Sequence, residues 1–381
     1  MPIKVAHLVR QYHPSVGGME DVVQNIARHQ MTRHGHVPTI VTLNRLFRNS
    51  AEVLPAEDEV DGVRVVRLPY YGSSRYPMAP DVLRHVRGAD VIHVHGVDFF
   101  YDYLALTKAL HRRPLVASTH GGFFHTQFAS RLKKIYFNTV TRGSSVAYDR
   151  IVGTSDNDGT MFRAIVRPPK LAVIENGVNV TKYAGRGSPV LAPVMIYFGR
   201  WSVNKGLVET IALFRALVAR HPAWRLIIAG REYDHSAAEL RGLIEQAGLG
   251  EHVRLVANPG EHELAELIGQ SSYYVCLSRH EGFGIAPIEA MSAGLTPVLS
   301  DIPPFRNLVE KSGLGLLVDV QDTDAAVARL IELHAQGDAA YEARRAAAQA
   351  FVQQYDWRHI ADRYVQIYHD LTHGERAACH A

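Results

Sequence analysis

The sequence predicts an α/β protein made of two Rossmann-like, doubly wound domains, each a parallel β-sheet with helices on both faces. Short apolar runs typical of buried strands alternate with helical patterns through both halves of the chain. This alternation favours parallel sheets, because parallel strands need crossover connections, which are usually helices. The 381 residues are also enough for two domains of ordinary size.

The first half predicts a domain over residues 1–187. Met19, Val22, Val23 and Ile26 fall at helical spacing before Gly35, and a second helix is predicted over Phe99–Leu110. Glu57–Asp61 is interpreted as an acidic loop. The apolar runs that predict strands are Val5–Val9, Thr39–Leu43, Val63–Leu68, Val91–Val94, Leu115–Ser118, Arg150–Gly153 and Leu171–Ile174.

The second half predicts a domain over residues 188–355, joined to the first by a linker at Gly185–Pro193, which is rich in glycine, serine and proline. Residues 356–372 are predicted to form a final helix, followed by a disordered tail over Thr372–Ala381. The predicted strands are Met195–Phe198, Leu226–Ala229, Val253–Ala257, Tyr273–Ser278, Thr296–Ser300 and Leu316–Val318.

Composition excludes several classes of protein. No run approaches the apolar length of a membrane span, and the first residues lack the pattern of a signal peptide. Two distant cysteines, Cys276 and Cys379, indicate neither a disulfide framework nor a cysteine metal site. Asp156–Asn157–Asp158 is interpreted as a helix cap rather than a metal-binding motif. We therefore expect a cytoplasmic protein without a metal cofactor and without a nucleic-acid partner.

Charge is distributed unevenly along the chain. Residues 1–190 hold 24 Lys and Arg against 15 Asp and Glu, whereas residues 191–381 hold 17 against 23. Arg131, Lys133 and Lys134 lie beside Tyr136 and Phe137, a mixture suited to a membrane surface rich in anionic lipid. The alternative is a basic helix that simply faces solvent.

Glycine-containing loops follow five of the predicted strands. In such sheets ligands bind outside the carboxyl ends of the strands. If the two domains face each other across a central cleft, all five loops can line it. The loops contain Gly17–Gly18, His120–Gly121–Gly122, Asn176–Gly177, Gly199–Gly206 and Glu281–Gly284.

The segment Ser278–Glu289 carries the most specific pattern. It joins a predicted strand to a predicted helix over Ala286–Ala293, and the glycines before the helix predict an anion site at its N-terminus. Glu281 lies in the loop, and Glu289 is expected in the first helical turn. The backbone amides of Gly282, Phe283 and Gly284 could bind a phosphate, and the two carboxylates could bind hydroxyls. A nucleotide-sugar carries both kinds of group. A helix cap with a solvated acidic face is the alternative.

Three other loops add candidate residues. Arg200 and Lys205 precede a predicted helix, where they could neutralise a diphosphate leaving group. Gly17 and Gly18 would let the backbone approach a phosphate or sugar closely, although such a pair is often only a turn. His120 follows a strand and could contact a sugar hydroxyl or orient an acceptor.

These residues, taken in order, resemble glycosyltransferase family 4. The resemblance covers Lys4 to about Leu371. It implies the GT-B fold, a nucleotide-sugar donor, retention of anomeric configuration and no metal. The resemblance implies that Glu281 and the amides of residues 282–284 hold the donor sugar and that Glu289 holds the ribose. It implies that Arg200 and Lys205 hold the diphosphate. It also places Gly17–Gly18 by the phosphate and His120 near the sugar.

The opening segment Val9–Glu20 resembles, within this family, mannosyltransferases of bacterial exopolysaccharide assembly. This implies α-mannose transfer from GDP-mannose to a cellobiosyl oligosaccharide on a polyprenyl diphosphate. It also implies peripheral association with the anionic cytoplasmic face of the inner membrane, through Arg131, Lys133 and Lys134. The alternatives are a UDP-sugar donor, a nucleotide-sugar epimerase, or a sugar-nucleotide-binding protein without catalysis.

Overall fold

The computed structural model describes residues 1–15, 17–47, 51–74, 76–121 and 134–378. It divides the chain into two compact units. The first contains residues 1–177 together with 357–381, and the second contains residues 178–356. Two parallel-sheet domains were predicted, and this part of the prediction is confirmed.

The first unit is built on an eight-stranded sheet in the order β10-β9-β8-β7-β1-β2-β4-β3. All neighbours are parallel except β3 and β4. The strands are β1 Lys4–Leu8, β2 Val37–Leu43, β3 Glu57–Val60, β4 Val63–Leu68, β7 Val91–His95, β8 Leu115–Ser118, β9 Arg150–Gly153 and β10 Leu171–Val173, with a separate hairpin of β5 Tyr71–Ser73 and β6 Tyr76–Met78. The helices are α1 Gly18–His34, α2 Val82–Val86, α3 Phe99–Leu106, α4 Lys108–His111, α5 Arg142–Ser145 and α6 Asp156–Phe162, with a π-helix at Phe137–Thr141.

Two predicted features of this unit are wrong. The acidic segment predicted as a loop forms β3, an edge strand whose Asp58 pairs with the buried Arg67 of β4 at 2.8 Å. The single helix predicted over residues 99–110 is divided at Thr107 into α3 and α4. The acidic segment is held as a strand by its pairing with β4, and at the division the Thr107 hydroxyl donates to the Tyr103 carbonyl oxygen at 2.6 Å.

The second unit has a six-stranded, fully parallel sheet in the order β13-β12-β11-β14-β15-β16. Its strands are β11 Val194–Trp201, β12 Arg225–Glu232, β13 Val253–Ala257, β14 Tyr273–Cys276, β15 Thr296–Ser300 and β16 Leu316–Val318. Its helices are α7 Leu207–Arg220, α8 Ala237–Gln246, α9 Glu261–Gly269, α10 Ile285–Ala293, α11 Pro303–Ser312, α12 Thr323–Ala335 and α13 Gly337–Phe351.

The boundary between the units lies between Gly177 and Val178, earlier than the predicted boundary at residue 187. Val178, Val180 and Tyr183 are buried in the apolar core of the second unit. The Gly185 amide also donates to the Ser292 carbonyl oxygen at 2.9 Å. Residues 178–187 therefore pack as part of the second unit, although they were predicted to belong to the first.

The final helix, α14, spans Trp357–Ala378 and returns to the first unit. Ile360, Tyr364 and Tyr368 are buried there against the core that includes Val5 of β1. The helix continues past the predicted end at residue 372, so most of the predicted disordered tail is helical. None of the helices in the described part of the chain combines the length and apolar character of a bilayer span.

Candidate functional site

The second unit holds most of the predicted site residues on two loops that leave neighbouring strands. One loop follows β11 and contains a short 3₁₀ helix, Val203–Lys205, that ends at Gly206 before α7. The other follows β14 and leads into α10. Because β11 and β14 are adjacent and parallel, their carboxyl ends bring both loops to the same edge of the sheet.

Backbone and side-chain hydrogen bonds join the two loops. The Arg279 amide donates to the Asn204 carbonyl oxygen at 2.8 Å. The Asn204 side-chain nitrogen donates in return to the His280 carbonyl oxygen at 3.1 Å. These reciprocal bonds hold Lys205 opposite Glu281. Sequence reasoning missed Asn204, since an isolated Asn in a loop has no distinguishing pattern.

Lys205 and Glu281 form a direct ion pair. The Lys205 Nζ lies 2.5 Å from Glu281 Oε1, and the two side chains are only 18% and 13% exposed. The Ser278 hydroxyl donates to the same Oε1 at 2.8 Å. With Oε1 engaged twice, Oε2 is the carboxylate oxygen better placed to accept a ligand hydroxyl.

The predicted anion-binding glycines lie at the start of α10. Gly284 is the N-terminal cap residue and has φ +97°, a left-handed conformation that favours glycine. Gly282 is exposed, while the Phe283 ring is half-buried and packs edge-to-face on Tyr355, with ring centroids 5.7 Å apart. The N-terminus of α10 thus lies beside Glu281, with amide groups and helix dipole suited to an anion.

Glu289 lies just past the first turn of α10, slightly later than predicted. Burial raises the pKa of its carboxyl group to about 7; Lys182 lowers the pKa and Glu261 raises it. The Lys182 Nζ also lies over the Tyr183 ring, 4.8 Å from its centroid. Lys182 and Tyr183 lie just before the predicted linker, in the range predicted for the first domain, and sequence reasoning missed them.

Arg200 lies near the end of β11 and is exposed. Its guanidinium carbon is 5.3 Å from the centroid of the Tyr233 ring, a cation–π contact. Its carbonyl oxygen accepts a hydrogen bond from the buried Tyr197 hydroxyl at 2.7 Å. Arg200 is therefore on the same strand-to-helix connection as Lys205, with its charged group available to a ligand.

The first unit holds the remaining predicted residues. Gly17 is the N-cap of α1, and Gly18 begins that helix. A Cβ at Gly17 would lie 2.6 Å from a Glu20 carboxylate oxygen, whereas one at Gly18 would meet nothing within 4 Å. There is thus free space beside Gly18 at the N-terminus of α1, whereas the Glu20 side chain occupies the space beside Gly17.

His120 follows β8 and has a left-handed backbone, with φ +51°. Its Nε2 lies 3.0 Å from Nδ1 of His95, at the end of the adjacent strand β7. Burial lowers the pKa of His120 to about 4, so the ring is neutral near pH 7. His95 was not predicted, because nothing in the local sequence links it to His120.

Two of the three predicted membrane-contact residues, Arg131 and Lys133, lie outside the described residues. Lys134 is exposed and is the first described residue of a helical stretch that continues to residue 145. Exposed apolar side chains follow it: Ile135, Val140 and Val146 are 61%, 43% and 73% exposed. The two aromatic residues noted in the sequence are not at the surface, because Phe137 is buried and Tyr136 is half-buried. The exposed apolar groups beside Lys134 are aliphatic.

Three buried histidines, His7, His93 and His95, bring potential metal-ligand atoms within 4.8 Å of one another. Both ring nitrogens of each histidine are already engaged in hydrogen bonds within the protein. In this arrangement the rings form a hydrogen-bonded network rather than a set of open metal ligands.

Comparison with known proteins gives matches over most of the chain. Residues 16–182 match the family model described as Glycosyltransferase Family 4, and residues 185–351 match the model described as Glycosyl transferases group 1. A protein of Xanthomonas campestris named GDP-mannose:cellobiosyl-diphosphopolyprenol alpha-mannosyltransferase is 53% identical over 367 residues, covering 96% of this chain and 97% of that protein.

Two further comparisons agree with these matches. A protein of the same name from Komagataeibacter xylinus is 40% identical, covering 97% of this chain and 93% of its own. Among solved structures, a glycosyltransferase from Rickettsia africae ESF-5 superposes with a TM-score of 0.74 at 15% identity, covering 97% of this chain and 98% of that one. At that identity the structural likeness concerns the fold alone.

Proposed function

The chain belongs to glycosyltransferase family 4, and from this premise we propose that it transfers α-mannose from GDP-mannose to a cellobiosyl oligosaccharide on a polyprenyl diphosphate. The family and the GT-B fold class predicted from the sequence are confirmed. The choice of donor and acceptor is supported by relatives at 53% and 40% identity that carry this activity in their names.

The observation that carries the proposal is the Lys205–Glu281 pair beside the N-terminus of α10. Lys205, Arg200 and the amides of residues 282–284 supply positive charge for the donor diphosphate. Glu281 Oε2 accepts a hydroxyl of the donor sugar, and Glu289 accepts the ribose hydroxyls. Gly17–Gly18 leaves room for a phosphate, and His120 contacts the sugar.

The reaction retains configuration by a same-face substitution. The bond between the sugar C1 and the phosphate oxygen breaks, and the acceptor hydroxyl oxygen bonds to C1 on the face that the phosphate leaves. The acceptor proton passes to the departing phosphate oxygen, and GDP leaves. Lys205 and Arg200 stabilise the charge that develops on that oxygen, so this step needs no metal ion.

Glu281 acts as a sugar-binding residue rather than a nucleophile. Its carboxylate is held by Lys205 at 2.5 Å and by the Ser278 hydroxyl at 2.8 Å. Both bonds stabilise the anion and reduce its tendency to attack carbon.

Calorimetric titration with GDP-mannose, UDP-glucose and UDP-N-acetylglucosamine tests the donor. We expect binding of GDP-mannose to exceed that of either UDP-sugar, followed by mannose transfer to cellobiosyl-diphosphopolyprenol. A preference for a UDP-sugar would keep the phosphate site but reject the mannose assignment. Binding with no turnover on that lipid would reject the proposed acceptor.

Donor binding is expected to strengthen as pH rises through about 7, the pKa to which burial raises Glu289. Only the ionised carboxylate accepts both ribose hydroxyls. Glu289→Gln should therefore flatten the dependence of the GDP-mannose Kd on pH between pH 6 and 8. An unchanged pH profile in this variant would show that another group is responsible.

The Glu289 carboxyl group also makes the stability of the folded protein depend on pH, in the direction opposite to that of donor binding. Because the folded-state pKa is raised above the ordinary value of 4.5, the folded protein holds an extra proton between about pH 4.5 and 7. The free energy of unfolding therefore falls as pH rises through that window, and this contribution is absent in Glu289→Gln. Urea unfolding at pH 5 and 8 measures it independently of activity.

We also propose peripheral binding to the cytoplasmic face of the inner membrane through residues 125–145. Replacing Arg131, Lys133 and Lys134 with glutamine should reduce binding to vesicles that contain anionic lipid, most clearly at low salt. The matched control replaces Arg215, Arg241 and Arg254, three exposed arginines of the second unit. Equal binding by both triple variants would contradict the proposal.

A further inference from the structure

Four histidines of the first unit come together beneath the carboxyl ends of its sheet. His7 lies on β1, His93 and His95 lie on β7, and His120 follows β8. These three strands are neighbours in the sheet. The side chains of His7, His93 and His95 are fully buried. The proposed reaction uses only His120, so the other three need a separate explanation.

Three of these rings form a continuous chain of hydrogen bonds that ends at Gln30 in α1. His120 Nε2 lies 3.0 Å from His95 Nδ1, and His95 Nε2 lies 3.0 Å from His7 Nδ1. His7 Nε2 then lies 3.0 Å from Gln30 Oε1. Among these groups, only Nδ1 of His120 is a ring nitrogen outside the chain.

All three rings are neutral near pH 7. Burial lowers the pKa of His7 and of His120 to about 4, and it lowers the pKa of His95 well below its ordinary value. A neutral imidazole has one N–H donor and one acceptor nitrogen. In a chain of such rings, the direction of one hydrogen bond therefore sets the direction of every other.

Gln30 lies at one end of the chain of hydrogen bonds and sets this direction. Its amide oxygen can only accept, so His7 must carry its proton on Nε2 and present Nδ1 as an acceptor. His95 then donates from Nε2 and accepts at Nδ1, and His120 donates from Nε2. The remaining nitrogen of His120, Nδ1, is left unprotonated.

In the structure the amide oxygen of Gln30 faces Nε2 of His7. The amide nitrogen is buried, and within the described residues it has no partner at hydrogen-bond geometry. The oxygen is therefore the accepting end of the hydrogen-bond chain.

His93 belongs to a separate branch. Its Nδ1 lies 2.7 Å from the Tyr368 hydroxyl, and its Nε2 lies 2.8 Å from Ser118 Oγ. It stacks near His95, with ring centroids 4.0 Å apart, but it makes no hydrogen bond in the chain from Gln30 to His120. Its replacement therefore perturbs the same core without interrupting the chain.

We propose that Gln30 is a positioning residue that acts through His7 and His95 to hold His120 in the tautomer with an unprotonated Nδ1. That nitrogen is then an acceptor for a sugar hydroxyl, on either the donor or the acceptor. The effect on transfer rests on the proposed function of His120. The tautomer itself does not, since it follows from the hydrogen bonds inside the first unit.

The tautomer can be measured directly in the wild-type protein. Histidine labelled with ¹⁵N distinguishes protonated from unprotonated ring nitrogens in long-range proton–nitrogen NMR spectra, and the His7→Asn, His95→Asn and His120→Asn variants assign the signals. We expect all three rings to be neutral with the proton on Nε2. A proton on Nδ1 of His120, or a charged ring at pH 7, would overturn the proposal.

The Gln30→Met variant tests the role of the amide, because methionine has similar length but no hydrogen-bonding oxygen. We expect His120 to lose its single tautomer and kcat to fall by roughly tenfold or more, with little change in the KM for the donor. The control Val23→Ala, also buried in α1, should keep the wild-type tautomer and kcat.

The His93→Phe variant, measured in the same way, should keep the His120 tautomer. It therefore distinguishes an interruption of the hydrogen-bond chain from general damage to this core. If Gln30→Met folds with the wild-type tautomer, Gln30 does not set it and the proposal fails. If the tautomer changes while transfer does not, the chain of hydrogen bonds stands and the proposed catalytic role of His120 is wrong.

Discussion

Replacing Lys205 with alanine is expected to lower kcat/KM for sugar transfer by roughly two orders of magnitude or more. The Lys205 side chain is only 18% exposed and its ammonium group is held 2.5 Å from Glu281, so the charge is preorganised rather than free in solvent. Charge on the departing diphosphate develops in the transition state, where a fixed cation has its greatest effect. A 100-fold loss corresponds to about 2.7 kcal/mol.

The control for this variant is Lys311→Ala, which removes an exposed lysine from the last turn of α11 in the same unit. It should retain wild-type kcat/KM. Lys205→Arg keeps a positive charge and should recover part of the loss. Activity near that of the wild type in Lys205→Ala would refute the assignment of Lys205 to the diphosphate.

Replacing Gly206 with alanine is expected to destabilise the second unit and to abolish most transfer. Gly206 has φ +66°, and a Cβ there would lie 1.9 Å from the Leu277 carbonyl oxygen. Both the backbone conformation and the close approach to β14 require glycine. The free energy of unfolding should fall by about 2 kcal/mol or more.

Activity is lost in this variant because the overlap pushes apart the two loops that hold Lys205 and Glu281. Gly242→Ala is the matched control, since Gly242 lies within α8 and a Cβ there would meet nothing within 4 Å. That change should stabilise the unit by about 0.5–1 kcal/mol. Thermal unfolding measures both, and wild-type stability in Gly206→Ala would contradict the packing described.

Much of the site could be predicted because each loop follows a recognisable strand. Glu281 and Lys205 each lie at the carboxyl end of an apolar run in the second unit, and a parallel sheet brings such ends to one edge. His120 follows an apolar run of the first unit in the same way. The direct pairing of Lys205 with Glu281 was not predicted. The two residues are 76 positions apart, and their contact depends on β11 and β14 being neighbours in the sheet.

Other parts of the site had no detectable sequence signal. The segment containing Lys182 and Tyr183 was predicted to end the first domain, yet it packs into the second unit near Glu289. His7 and His95 are 88 residues apart, and each looks like an ordinary histidine in a buried strand. Local composition cannot report such contacts, because they arise from strand order.

The sequence by itself determined the alternation of strands and helices, the two parallel-sheet domains and the family. These depend on periodicity and turn chemistry, which operate over a few residues. Only the tertiary structure decided which loops meet, where the boundary between the units lies and which polar groups become buried partners. Burial raises the pKa of Glu289, and hydrogen bonds between distant residues link Gln30 to His120. Both effects require the strands and helices to be packed first.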